Sequence, residues 1–176
     1  MIEKSAETHR KIAIGGIKFS EELVHIRLIA QKLKDTSFTG LLQLIAQKHI
    51  NIPFISHSAT SEFDALSFCI DNEDLDQAQS ILRAATFHCS SVQITKGVGT
   101  LTIFPHKNSF SLLGNVVGVF GKHQFPLYSL CTSISAIAFN TDYIYLDHVA
   151  ERLATIIELP DNHAPFRQQF CLKQMD

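Results

Sequence analysis

Four short segments between residues 24 and 94 carry the pattern of β-strands. In each of them apolar residues occupy every second position, the period expected of a strand with one buried face. The segments are 24–30, 50–54, 66–70 and 91–94. The polar stretch 57–62 predicts a connection between the second and third strands, which would then form an antiparallel hairpin.

Two helices are predicted between these strands. The first has apolar residues at i, i+3, i+4 and i+7, the spacing of one stripe on an amphipathic helix. That stripe consists of Phe38, Leu41, Leu42 and Ile45. The second helix begins at Leu75, behind the cap-forming and acidic residues 72–74, and continues through Ala78 and Leu82. The predicted order of elements is therefore β-α-β-β-α-β.

Most of this pattern occurs a second time further along the chain. Ser37-Phe38-Thr39 corresponds to Ser109-Phe110-Ser111, 72 residues later, and Asn51-Ile52-Pro53 corresponds to Gln124-Phe125-Pro126, 73 residues later. Segments 65–68 and 75–76 recur 71 residues later as 136–139 and 146–147. Four matches in the same order indicate a duplicated unit. They place the second copies of the helix stripes at Phe110, Leu113, Gly114 and Val117 and at Leu146, Val149 and Leu153.

The repeat predicts an α+β fold of two tandem βαββαβ units, each with two helices on one face of an antiparallel, ferredoxin-like sheet. We expect a lead-in strand within 1–20, a first unit over 21–97 and a second unit over 98–176, with its last strand within 166–172. Gly97 and Gly99 predict a turn between the units. A unit of about 70 residues has a small core, so self-association is expected.

Composition and charge narrow the class of protein. The chain has 176 residues, of which 45% are hydrophobic and 18% charged, and its net charge is −2. These values are typical of a globular protein, and the lack of a basic block disfavours nucleic-acid binding. Phe68 and Phe139 share the phase of the core positions, which disfavours an RNA-binding sheet face. The apolar stretches are too short to span a membrane and the first residues lack a signal-peptide pattern, so we expect a soluble, cytoplasmic protein without nucleic-acid or membrane partners.

The residues that could carry chemistry are poorly placed for it. The four cysteines include no CxxC pair and the nine histidines have no metal-ligand spacing, so reduced cysteines, no metal and no cofactor are expected. Ser56 and His57 are neighbours in a strand and point to opposite faces, which disfavours a nucleophile–base pair. The sequence therefore offers no catalytic residue set.

Three segments carry a resemblance to a known family. Residues 14–19 resemble a short strand that precedes the first unit, His49-Ile50-Asn51-Ile52 resembles the end of its first helix with the second strand, and residues 131–139 are similar to the hairpin of its second unit. The family is the paired ACT domains at the regulatory end of aspartokinases, especially the separate β-subunit type. The resemblance extends over nearly the whole chain from Ile14 and includes no kinase domain.

The resemblance implies a non-catalytic regulatory module that senses a small amino acid, lysine or threonine. Each site would lie where the first turn of one unit faces the second strand of another. The implied positions are Asp35, Thr36, Ser37, Phe38 and Thr39 with Gln124, Phe125 and Pro126, and Asn108, Ser109 and Phe110 with Asn51, Ile52 and Pro53. Asp35 would hold the ammonium group, and the N–H groups of Ser37 and Thr39 the carboxylate.

The resemblance also implies partners and leaves one alternative open. A homodimer and a separate kinase catalytic subunit are expected partners. Both first turns lack the glycine that the family carries there. The alternative is therefore a degenerate ACT pair that serves only to assemble with a catalytic subunit.

Overall fold

The structure is a computed structural model that describes residues 11–31, 38–84, 89–104 and 109–161. These ranges contain nine strands and four α-helices. The strands are β1 (Ile12–Ala13), β2 (Gly16–Phe19), β3 (Leu23–Gln31), β4 (Phe54–Ala59), β5 (Phe63–Asp71), β6 (Cys89–Phe104), β7 (Ser129–Thr132), β8 (Ile137–Asp142) and β9 (Ile157–Glu158). The helices are α1 (Thr39–Gln47), α2 (Leu75–Ala84), α3 (Phe110–His123) and α4 (Leu146–Leu153), and short 3₁₀ turns at Asn72–Asp74 and Tyr143–Tyr145 precede α2 and α4.

The first unit has the predicted order of elements. β3 pairs antiparallel with both β5 and β6, and β5 pairs antiparallel with β4. The apolar pairs Ile26–Phe68 and Leu28–Leu66 face each other across β3 and β5, and all four side chains are buried. They pack with the apolar sides of α1 and α2 in one core, so the predicted strand phase is confirmed.

The second unit uses residues 98–104 of β6 as its first strand. This part of β6 pairs antiparallel with β8, which pairs antiparallel with β7, and a second core lies between these strands and helices α3 and α4. β2 pairs with β6 on the other side, with Ile17 opposite Ile103. The lead-in strand thus completes the sheet of the second unit. The expected last strand at 166–172 lies outside the described residues, and the proposed unit boundaries remain predictions.

The predicted turn at Gly97 and Gly99 is wrong, because β6 runs through both residues as one strand of 16 residues. Gly97 has a φ of +69° and lies where the register of β3 against β6 shifts. The left-handed backbone of Gly97 therefore forms an irregularity within the strand, a role that glycine fills at low cost. Gly99 is paired with Thr141 in the regular ladder.

The predicted stripe of the third helix is also wrong. The residues that α3 buries are Leu112, Val116 and Phe120, whereas Phe110 is 89% exposed and Val117 is 41% exposed. Leu113 is only half-buried and Gly114 is exposed. Phe38 is the N-cap residue of α1, and Ser109 is the N-cap residue of α3. Phe38 therefore corresponds to Ser109 and not to Phe110, which shifts the buried side of α3 from the predicted one.

The strands that follow α1 and α3 correspond to each other at an offset that is two residues larger than the offset predicted from the sequence repeat. α3 has 14 residues and α1 has nine, a difference of about one helical turn. Each helix ends next to a residue with a left-handed backbone, His49 after α1 and Gln124 after α3. The strands then begin at Phe54 and Ser129.

The second predicted strand and its hairpin are shifted along the chain as well. The N–H of Ile50 donates to the carbonyl of Ile45, so this residue terminates the helix instead of opening a strand. β4 extends through His57 to Ala59, and the turn lies between Thr60 and Phe63, where the N–H of Thr60 donates to the carbonyl of Phe63 over 2.8 Å. The antiparallel hairpin itself is confirmed.

A third apolar cluster joins the two units. Leu23, Phe54 and Cys69 of the first unit pack against Cys131 and Ala138 of the second. These residues alternate with the core residues of their strands, so they lie on the sheet faces that the helices do not cover. Strands β2 to β8 form one seven-stranded sheet that is continuous through β6, and its two parts contact each other through these uncovered faces.

Candidate functional site

The N-terminus of α1 contains the described part of the first predicted site. Phe38 is the N-cap residue, makes no side-chain cap hydrogen bond and has helical backbone angles. Its ring is only 9% exposed, belongs to the first core and contacts the ring of His57 edge-on at 6.1 Å. Thr39 is the first residue of the helix. The other predicted members, Asp35, Thr36 and Ser37, lie outside the described residues.

Space remains beside the first turn of α1. Gly40 is exposed, and among the described residues a Cβ built on it would meet no atom within 4 Å beyond its chain neighbours and the backbone of its own helix. No acidic side chain lies in this first turn. An anion would therefore meet the positive end of the helix dipole without a competing carboxylate from that turn.

The N-terminus of α3 is built differently. Ser109 is the N-cap residue, and its Oγ accepts a hydrogen bond from the N–H of Leu112 over 3.1 Å. The ring of Phe110 projects into solvent. Asn108 lies outside the described residues. A side chain thus occupies one of the backbone donors at the start of this helix.

The residues predicted on the opposite side of each site lie between a helix and a strand. Asn51, Ile52 and Pro53 connect α1 to β4, and Gln124, Phe125 and Pro126 connect α3 to β7. Ile52 packs against the first core. Phe125 packs against the second core, with ring contacts to Phe120, His123 and Tyr145.

The two halves of the first predicted site belong to different cores. Phe38 lies in the first core and Phe125 packs against the second. Nothing in the described residues places a ligand between these two side chains, so the assembly of either site from two units remains a prediction.

Sequence reasoning missed a polar network at the contact between the units. Thr100 Oγ1 donates to Asn140 Oδ1 over 2.6 Å, and Asn140 Nδ2 donates to Ser129 Oγ over 2.7 Å. Ser129 Oγ lies 3.2 Å from Nε2 of His25, which is 3% exposed and stacks on Tyr128 with ring centroids 6.0 Å apart. The network connects β3 of the first unit to β6, β7 and β8 of the second unit.

The surroundings of this network shift the ionisation of its members. Burial lowers the pKa of His25, and the nearby Arg27 cation lowers it further. Burial raises the pKa of the Cys69 thiol to about 12, against a smaller lowering by a hydrogen bond with Thr100. Tyr128 donates to Asp142 Oδ1 over 2.6 Å, and this bond, with burial and the carboxylate charge, raises the pKa of Tyr128 to about 12. The network is therefore neutral apart from the Asp142 carboxylate.

One sequence signal pointed towards this network. His25 occupies a polar-phase position of a strand whose other face is apolar, which predicts exposure in a single sheet. Only the packing of the second unit against that face buries it, and strand periodicity contains no information about such packing.

Neither a metal-binding cluster nor a membrane-spanning helix occurs among the described residues. No three His, Cys, Asp or Glu side chains in these ranges are close enough together to hold a metal ion. No helix in the described part of the chain has the length and apolar character needed to cross a membrane.

The comparisons with known proteins fit an ACT-type regulatory fold. No family model matches the chain. A curated aspartokinase from Bacillus sp. (strain MGA3) is 28% identical over 83 residues, which are 47% of this chain and 20% of that protein. The chain therefore matches about a fifth of this relative's length.

Solved structures define the fold more fully. The regulatory subunit of aspartate kinase from Thermus flavus superimposes with a TM-score of 0.71 at 14% identity, and the match covers 83% of this chain and 99% of that one. E. coli aspartokinase III in complex with lysine and aspartate superimposes with a TM-score of 0.61 at 16% identity, covering 88% of this chain and 35% of that one. The described part of the chain thus has an ACT-type regulatory fold. In particular, it is the fold of aspartokinase regulatory subunits, so the predicted resemblance and fold class are confirmed.

Proposed function

We propose that the chain is a non-catalytic regulatory module that senses a small amino acid, lysine or threonine, and acts on a separate kinase catalytic subunit. The observation that carries this proposal is the structural match to a regulatory subunit of aspartate kinase. The superposition covers 99% of that subunit. The E. coli aspartokinase with a similar fold was solved with lysine and aspartate, which favours lysine as the first effector to test.

The start of α1 is the better supported of the two effector positions. Phe38 supplies no side-chain cap, and Gly40 leaves open space beside the first turn. At α3, by contrast, Ser109 already caps the N–H of Leu112. A carboxylate at α1 would gain hydrogen bonds from backbone N–H groups and a favourable interaction with the helix dipole.

A thermal-shift screen of the chain against the twenty amino acids at millimolar concentration tests this proposal. Lysine or threonine should raise the melting temperature, because a ligand that binds only the folded state stabilises it. Gly40→Leu would fill the open space and should abolish the shift. The matched control is Gly118→Leu, which also places a side chain on an exposed helical glycine with no atom within 4 Å and should keep the shift.

Two results would contradict the proposal. The first is the absence of any shift with all twenty amino acids. The second is a shift that Gly40→Leu and Gly118→Leu leave equally intact, which would place the effector away from α1.

Regulation requires that effector binding favours one of two states of the assembly. We propose that the chain forms a homodimer and associates with a kinase catalytic subunit. Light scattering should give twice the chain mass. Aspartokinase activity of the catalytic subunit should depend on lysine or threonine only when this chain is present.

One observation favours the second candidate, a module that only assembles. Phe38, at the turn where a ligand would bind, fills the first core. In this case no amino acid changes the melting temperature, while the dimer and the complex with the catalytic subunit still form.

A further inference from the structure

The polar network between the units has a defined direction from Thr100 to Ser129. Thr100 donates to Asn140 Oδ1, which leaves the amide nitrogen of Asn140 to donate to Ser129 Oγ. The hydroxyl hydrogen of Ser129 is then available for His25 Nε2, 3.2 Å away. An imidazole that accepts at Nε2 is neutral and carries its proton on Nδ1.

Protonation of His25 disrupts this order. A proton on Nε2 would make His25 a donor, so Ser129 Oγ would face two donors, the imidazole and the amide of Asn140. The hydroxyl hydrogen of Ser129 would lose its acceptor within the network. The new charge would also be buried, in a residue that is 3% exposed.

The groups around His25 offer no compensation for a positive charge. Arg27 on β3 is a like charge. Cys69, directly opposite on β5, has a pKa of about 12 and is a neutral thiol. Tyr128, stacked on the ring, is a neutral phenol whose hydroxyl is bonded to the Asp142 carboxylate. Burial and Arg27 accordingly lower the pKa of His25.

We propose that His25 is a proton-sensitive latch between the two units: its neutral ring holds β3 against the start of β7, and its protonation releases this contact. The latch is independent of any effector. Because the folded state with the latch closed binds fewer protons than the open state, the contact is complete above the ordinary histidine pKa of about 6.5 and weakens as the pH falls below it.

Cys69 reports the opening of the latch, because it is fully buried in the same contact. A dithiodipyridine reagent, which reacts with thiols in acid, can be mapped to Cys69 by mass spectrometry while far-UV circular dichroism monitors the fold. The labelling rate, relative to a free thiol, should rise about tenfold between about pH 7.5 and pH 5.5, because the open state has the ordinary pKa. His25→Gln, which keeps an acceptor but does not titrate, should remove this rise.

The matched control is His148→Gln, which removes an exposed histidine on α4 and should leave the rise unchanged. An equal rise in His25→Gln, or no rise in the unmodified protein, would overturn the latch.

NMR of the unmodified protein gives a second test that needs no variant. His25 in the Nδ1–H form at neutral pH, titrating below the ordinary histidine pKa of about 6.5, supports the latch. The Nε2–H form, or a titration at or above that value, refutes it.

Discussion

Gly99 of β6 lies directly against Leu146, the first residue of α4. A Cβ built on Gly99 would come 2.5 Å from Cδ1 and 2.9 Å from Cγ of Leu146, which is fully buried. Gly99→Ala would therefore push α4 away from the sheet. We expect a loss of about 1–3 kcal/mol in the free energy of unfolding, measured by urea denaturation.

The control for this substitution is Gly114→Ala on α3. Gly114 is exposed, and a Cβ there would meet nothing within 4 Å. Alanine in a helix should raise stability by about 0.5–1 kcal/mol relative to glycine. Equal stability of Gly99→Ala and the unmodified protein would show that α4 does not depend on this close approach.

Phe38 and Phe110 stand at the starts of α1 and α3 but differ in burial. Phe38 fills the first core, whereas Phe110 is in solvent. Phe38→Ala should lower the free energy of unfolding by about 3 kcal/mol, because it leaves a cavity. Phe110→Ala should change it by less than about 0.5 kcal/mol. Urea denaturation measures both losses. If they were similar, the two phenylalanines would be equivalent, as the sequence repeat predicts.

The sequence repeat predicted the order of elements but misplaced the buried side of α3, and the composition of the helix explains why. Apolar residues lie on nearly all sides of α3, including Phe110, Leu113 and Val117 on one stripe and Leu112, Val116 and Phe120 on another. Both stripes satisfy helical spacing. Matching Phe110 to Phe38 selected the exposed one, and only the cap at Ser109 sets the phase.

The features that could not be predicted depend on distant parts of the chain. The pairing of β2 with β6 joins residues more than 80 positions apart, and no local pattern encodes it. The burial of His25 depends on the packing of the second unit, which single-strand alternation does not contain. At the candidate site, the resemblance supplied positions such as Phe38, but it could not show that this side chain turns into the core.

Thr100 and Thr141 are both buried, but only one of them uses its hydroxyl group. Thr141 Oγ1 has no hydrogen-bond partner among the described residues, while Thr100 Oγ1 donates to Asn140. Thr141→Val should raise the free energy of unfolding by about 1 kcal/mol, because an unpaired buried hydroxyl becomes a methyl group. Thr100→Val should lower it by at least about 1 kcal/mol, since Asn140 loses its donor.

Urea denaturation of the two valine variants provides an internal comparison, since both replace a hydroxyl by a methyl group in neighbouring strands. If Thr141→Val were the less stable of the two, the hydroxyl of Thr141 would have to be bonded, and its assignment as unpaired would be wrong.

Tyr128 should ionise at a higher pH than a free phenol. Its hydrogen bond to Asp142, with burial and the carboxylate charge, raises its pKa to about 12, compared with about 10 for a free phenol. A phenolate at this position would face the Asp142 carboxylate without the shared proton. Phenolate absorbance should therefore show a late step near pH 12 that Tyr128→Phe removes and the control Tyr143→Phe retains.

The same shift has a defined effect on stability. Because the folded-state pKa is raised, the bond contributes fully below the unfolded-state value of about 10, and the contribution is lost as the pH rises towards 12. Asp142→Asn removes the negative charge beside the phenol while an amide oxygen can still accept its proton. We expect the late step to move to lower pH in this variant, because the carboxylate is the source of both the strong bond and the repulsion. A late step that stays near pH 12 in Asp142→Asn would assign the shift to burial of the phenol instead.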